Sequence, residues 1–222
     1  KIKELSEVKM MNKMTRIVSG SLAIMLIITF VYTSIAQAAE PETKEFLSEL
    51  AVMQGDSNGN FNDNHTLTRE EFAKIVVAIA DHDYIALNST SPFFDVPSNR
   101  WSAGYIERAN TLGILYGYPD GSFRPSEQVL PEQVCKAMLS MLGYDNSHIT
   151  ANWAQSQIEF AKAKGLLDGV SYQLGVPITR IETAKIVKNA LLSQKKDSAN
   201  YLISDMGYSY YKDTVIVSDK NA

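Results

Sequence analysis

The 222-residue chain has a single cysteine, Cys135, only two tryptophans, only three histidines and no basic run. One cysteine excludes an internal disulfide framework. Cys135 sits among apolar residues at helical spacing, so it reads as a plain buried thiol. His65, His82 and His148 are scattered without metal-ligand spacing, and no metal is expected. Neither a Gly-x-Ser-x-Gly elbow nor a phosphate loop occurs, which leaves no catalytic set, no cofactor and no enzyme within these residues. Asp56-Ser57-Asn58-Gly59-Asn60 opens like a calcium loop, but Phe61 stands where that loop needs glycine and Leu67 where it needs glutamate. Its Asn and Gly are explained as turn residues.

What is present begins with a targeting signal. Lys13 and Arg16 precede an apolar stretch from Ile17 to Ile35, followed by Ala36-Gln37-Ala38 and a polar continuation. That is the order of a secretory signal, with cleavage expected after Ala38 and residues 1–38 set apart from the fold. The rival is a retained membrane helix, which Ser19, Gly20, Ser21, Thr29, Thr33 and Ser34 dilute. The whole chain carries a net charge of −4; after residue 38, 16 basic face 23 acidic side chains, a net −7. Such a chain is a poor partner for nucleic acid, whose binding rests on Lys and Arg neutralising phosphates. An anionic ligand would have to be held by a few placed residues.

Comparing the sequence with itself exposes a repeat. Trp101, Ile106, Ala109, Gly113 and Leu115 recur 52 residues on as Trp153, Ile158, Ala161, Gly165 and Leu167. Gly55 to Phe61 matches Gly117 to Phe123 at an offset of 62. Thr68-Arg69-Glu70-Glu71 corresponds to Leu130-Pro131-Glu132-Gln133 and, after a three-residue shortening, to Thr179-Arg180-Ile181-Glu182. Three copies result, at 42–85, 92–145 and 149–192, each reading as helix, turn loop, helix. Gly113 is a left-handed helix stop, and Tyr118-Pro119-Asp120-Gly121 is a turn. Thr68 with Glu71 and Thr179 with Glu182 read as capping boxes. The fold class is therefore mainly α, a pseudo-threefold module of three helix-loop-helix repeats around a central three-helix bundle, because a two-helix unit cannot bury its own face.

Phe94-Asp95-Val96, Trp101, Gly113-Ile114, Gly117-Tyr118-Pro119-Asp120-Gly121-Ser122-Phe123-Arg124-Pro125 and the Thr-Arg-x-Glu helix starts resemble the S-layer homology family across roughly Glu42 to Leu192. The resemblance implies a three-pronged module that binds secondary cell-wall polymer, typically a pyruvylated glycan, and holds a secreted protein at the bacterial cell wall or S-layer. It implies that the tetrapeptide arginine lies in a groove between repeats, facing tryptophan and glycine positions of a neighbour. By position that marks Arg69 and Arg180, Trp101 and Trp153, and Gly55, Gly117 and Gly169. Pro131 replaces the arginine in the second copy and Ala39 the tryptophan in the first, so fewer than three working grooves are expected.

The residue types suit the task. Guanidinium is a planar fork that meets both oxygens of a carboxylate, and a pyruvyl ketal presents a carboxylate on a sugar ring. A helix start adds free amides and a positive dipole end, and tryptophan offers a flat platform to a sugar face. The competing reading makes the arginines ion-pair partners of Glu70, Glu71 or Glu182 and the tryptophans packing anchors. Residues 193–222 read as a polar linker, Gln194 to Ser198, followed by one strand, Tyr208 to Val217, that opens a further domain or joins the module's edge. The alternatives to anchoring are a degenerate module that assembles with surface-layer proteins, or the anchor of a surface hydrolase whose catalytic part lies elsewhere. No membrane contact is expected once the signal is cleaved.

Overall fold

A computed structural model of the chain describes residues 43–86, 90–147, 149–211 and 214–216. The expected signal at 1–38, Ala39 and His148 fall outside them. Six helices carry the architecture: α1 at residues 43–49, α2 Arg69–Ala80, α3 Ala103–Thr111, α4 Pro131–Met141, α5 Trp153–Ala163 and α6 Arg180–Leu191. The molecule is mainly helical, as the periodicity predicts. None of the described helices is long and apolar enough to cross a membrane.

Each helix starts and stops for a local reason. The Thr68 hydroxyl accepts from the Glu71 amide, and the Glu71 carboxylate accepts from the Thr68 amide at 2.8 Å, a complete capping box for α2. At α4, Pro131 takes the first helical position, where its missing N–H leaves nothing unsatisfied. The box expected at α6 is only half made. Thr179 accepts from the Glu182 amide, but the Glu182 carboxylate turns away to the Ser171 amide and to Lys185. Gly113 and Gly165, at φ +69° and +75°, end α3 and α5 in the left-handed region, as a glycine stop requires.

Among the described helices, α2 packs against α3, and α4 against both α5 and α6. A single apolar cluster runs through them, with Phe72, Val76 and Ile79 from α2, Cys135, Met138 and Leu139 from α4, and Ile186, Val187 and Leu191 from α6. Interiors of this kind are stabilised by the apolar area withdrawn from water, about 25 cal/mol per Å².

The backbone repeats the same stitches at successive junctions. Val129 donates to the Leu67 carbonyl at 2.9 Å, and Ile178 to the Val129 carbonyl at 3.2 Å. Bridges join Thr68 to Gln128 and Thr179 to Thr66, positions related by the repeat offsets. Between α2 and the residues before α3 stands a half-buried ion pair. Arg100 grips Glu70 with Nε at 2.7 Å and Nη2 at 2.8 Å, and the Ser102 hydroxyl donates to the same carboxylate.

The C-terminal residues differ from the expected linker and strand. Lys196 donates to the Leu142 carbonyl, Leu202 to the Ser193 carbonyl, and Gln194 bridges Tyr201. A 3-10 turn, Leu202–Met206, then buries Leu202, Ile203 and Met206 against α2 and α6. Gly207, at φ +89°, turns the chain into a hairpin of β1 (Ser209–Tyr211) and β2 (Thr214–Ile216). One expected strand is two short ones, each the other's partner; the expected strand's last residue, Val217, lies outside the described residues.

Candidate functional site

Arg69 opens α2 and is only 6% exposed. Its backbone amide donates to the Glu127 carbonyl and the next amide, of Glu70, to the Pro125 carbonyl. Arg180 opens α6 in the same manner: its amide donates to the His65 carbonyl, and that of Ile181 to the Asp63 carbonyl. Residues 63 and 65 are the repeat equivalents of 125 and 127. The amides at these helix starts are therefore already satisfied by a neighbouring loop. The expectation that they stand free for an anion is corrected here.

The guanidinium groups are held by backbone and rings. Arg69 donates from Nε to the Phe123 carbonyl at 2.9 Å and from Nη2 to the Tyr116 carbonyl at 3.0 Å. It stacks over Phe123 and Tyr118, 4.5 and 4.9 Å from their centroids. Arg180 donates from Nη2 to the Gln54 carbonyl at 2.7 Å and stacks over Phe61 at 4.9 Å. Gln54 and Phe61 are the repeat equivalents of Tyr116 and Phe123. Neither arginine pairs with a carboxylate among the described residues; Glu70, one expected partner, belongs to Arg100. Burial lowers the pKa of both guanidiniums from their ordinary value, yet they stay charged at neutral pH. The three remaining N–H groups of Arg69, two of them on Nη1, have no partner among the described residues.

Each arginine faces a hollow. The Arg69 cleft, about 480 Å³, is walled by Ile114 to Tyr118 of the second copy's loop, by Gln133 and Lys136 of α4, and by Trp153 at the start of α5. Trp153 is 39% exposed. Among the described residues, no carboxylate lines the cleft. Burial lowers the Lys136 pKa from its ordinary value, and its ammonium donates to the Ser140 hydroxyl at 3.1 Å.

The Arg180 cleft is the same assembly one step round the repeat, in two adjoining hollows of about 280 and 290 Å³. Gly55 replaces Gly117, Glu71 replaces Gln133, Lys74 replaces Lys136 and Trp101, 54% exposed, replaces Trp153. The Arg69 cleft thus takes its arginine from α2, its lysine from α4 and its tryptophan from α5, and the Arg180 cleft takes its arginine from α6, its lysine from α2 and its tryptophan from just before α3.

Both glycines are fixed by close approach rather than by φ. A Cβ on Gly117 would stand 2.2 Å from the Phe93 ring and 2.6 Å from the Ser122 carbonyl oxygen; one on Gly55 would stand 2.9 Å from the Gly59 carbonyl carbon. Gly169 is different, with φ +70° and open space where a Cβ would point. It lines neither cleft. At the third junction Pro131 offers no guanidinium, and Lys185 is held by Glu182 at 3.0 Å. Six of the seven residues marked in the sequence converge in two sets of three, Arg69 with Gly117 and Trp153, and Arg180 with Gly55 and Trp101, leaving Gly169 apart.

Sequence reasoning missed Lys74 and Lys136. Their signal was available: each stands five residues after the arginine position of its own copy, as does Lys185. Among the described residues no cluster of His, Cys, Asp and Glu is placed to hold a metal. The carboxylate of Asp56 is spent on its own loop, accepting from the amides of Asn58 and Asn60.

Residues 45–73 and 92–130 match the profile of the S-layer homology domain. The chain is similar to the surface layer protein of Brevibacillus choshinensis, 31% identical over 172 residues, covering 74% of this chain and 15% of that protein. It is 27% identical to the middle cell wall protein of Brevibacillus brevis, covering 79% and 16%. It is 28% identical to cell surface glycoprotein 1 of Acetivibrio thermocellus, covering 72% and 8%. The chain spans less than a fifth of each relative's length. These matches support a non-catalytic module for cell-wall anchoring and a secreted location at the bacterial cell wall or S-layer.

Proposed function

We propose that this cell-wall anchoring module works by binding an anionic wall polymer, a glycan bearing pyruvyl ketals, chiefly in the Arg69 cleft. The observation that carries the reading is the lining of that cleft: Arg69 and Lys136 with no carboxylate, beside the exposed face of Trp153, in an acidic chain. Two cations in a partly dehydrated hollow attract a carboxylate more strongly than they would in open water. The tryptophan supplies the flat apolar surface that a sugar ring covers. A hollow of this volume suits one or two sugar residues.

The recurrence of the same stitches and the same cleft plan at related positions supports a pseudo-threefold arrangement of three copies, at 42–85, 92–145 and 149–192. On that plan the third groove would combine Pro131 and Gly169, and the loss of its arginine leaves the other two whole. That leaves Arg69, Trp153 and Gly117 as one set of glycan contacts and Arg180, Trp101 and Gly55 as a second, with Lys136 and Lys74 added.

The test is co-sedimentation of the secreted chain with native wall sacculi. Binding is expected to fall at least tenfold after mild acid removal of pyruvate, and a similar amount in Lys136→Gln and in Trp153→Ala. Both substitutions sit at exposed or half-buried positions, so the fold should survive them. Retention that is indifferent to pyruvate and to both variants would defeat the reading.

A further inference from the structure

The two clefts share a plan but not a charge. At two positions the difference is one of charge: the Arg69 cleft has Gln133 and Tyr118 where the Arg180 cleft has Glu71 and Asp56. Gln133 is neutral: its Oε1 accepts from the Leu130 amide and its Nε2 donates to the Tyr118 hydroxyl, each at 3.2 Å. Glu71 uses Oε2 for the capping box, and its other oxygen takes no bond among the described residues. Glu127 and Asp95 act on Arg69 and Asp145 on Lys136 from outside the lining, so within the cleft itself these two cations meet no carboxylate, whereas Glu71 lines both hollows of the Arg180 cleft and Asp56 one of them.

We infer that the clefts divide the polymer between them: the Arg69 cleft selects the sugar that carries the ketal carboxylate, and the Arg180 cleft accepts an uncharged sugar of the same chain. The inference rests on the wall-polymer reading above. A carboxylate entering the Arg180 cleft meets two charges of its own sign beside two opposite ones, and the Coulomb terms largely cancel. What remains there is the Trp101 face, the outward edge of Arg180 and the backbone of the Gly55 loop, which suit hydroxyl and acetamido groups. The residue at position 71 or 133 thus sets the charge preference. Gln133 shows that an amide at this place still serves the helix start.

Each cleft holds one of the two tryptophans, which allows it to be read alone. In Trp101→Phe the fluorescence reports the Arg69 cleft through Trp153; in Trp153→Phe it reports the Arg180 cleft through Trp101. Both are titrated with a methyl hexoside carrying a 4,6-pyruvyl ketal and with its ketal-free parent. At Trp153 the ketal is expected to improve affinity at least tenfold, and at Trp101 by less than threefold. Added Glu71→Gln should raise the ketal preference at Trp101 severalfold, and added Gln133→Glu should cut it at Trp153, both effects shrinking in high salt. Equal ketal preference at the two reporters, or indifference to both substitutions, overturns the inference and leaves the wall-polymer reading standing. A ketal glycoside that shifts neither tryptophan removes both.

Discussion

At the scale of single residues, packing separates glycines that look alike in the sequence. Gly117 lies against the Phe93 ring and the Ser122 carbonyl, so Gly117→Ala forces the loop to move and should cost about 1–3 kcal/mol by overpacking. Gly169 meets nothing, and Gly169→Ala should cost only the left-handed backbone penalty, about 1 kcal/mol. Urea unfolding of the two variants measures the difference; equal losses would contradict the contact argument. Cys135 offers a second check. Burial pushes its thiol up to about 12, whereas in the unfolded chain it ionises near pH 8.5. The folded form thus keeps a proton that the unfolded form releases, and stability should decline as pH rises from about 8.5 toward 12. In Cys135→Ala that part of the decline should vanish, and in the parent chain iodoacetamide should label the thiol only after denaturation.

At the scale of elements, much was legible. Apolar spacing and capping residues placed α2, α3, α4, α5 and α6, because those signals act within a turn or two of the chain. The half-made box at α6 was not legible, since Glu182 finds Ser171 and Lys185, one of them across a loop, instead of its own N-cap. Nor was the fate of residues 193–208. Gln194-Lys195-Lys196-Asp197-Ser198 is polar enough for a linker, but the apolar Leu202, Ile203 and Met206 beyond it are anchored by contacts with distant helices. Ile203→Ala should therefore destabilise the helical core by about 2–4 kcal/mol, as for any large-to-small change in a closed interior. Thermal unfolding followed by helix circular dichroism measures it. A shift below one degree would mean that the segment is only loosely laid on.

At the scale of the whole molecule, the repeat was plain in the sequence but the composition of a cleft was not. Arg69, Lys136 and Trp153 are 67 and 84 residues from first to second and first to third, and only the packing of α2, α4 and α5 brings them to one hollow. Offset arithmetic showed which residues are equivalent; it did not show which equivalents meet. Arg180, likewise, faces Gly55 and Trp101, 125 and 79 residues before it in the chain.

The pooled clefts also bear on how such a chain can change over generations. A binding unit is ordinarily gained or lost by copying or deleting the segment that encodes it. Here, no single segment encodes one: deleting the stretch from Trp101 to Lys136 would take the loop and lysine from the Arg69 cleft and the tryptophan from the Arg180 cleft. Loss of one segment thus harms both clefts, while a change at a single position such as 131 touches neither.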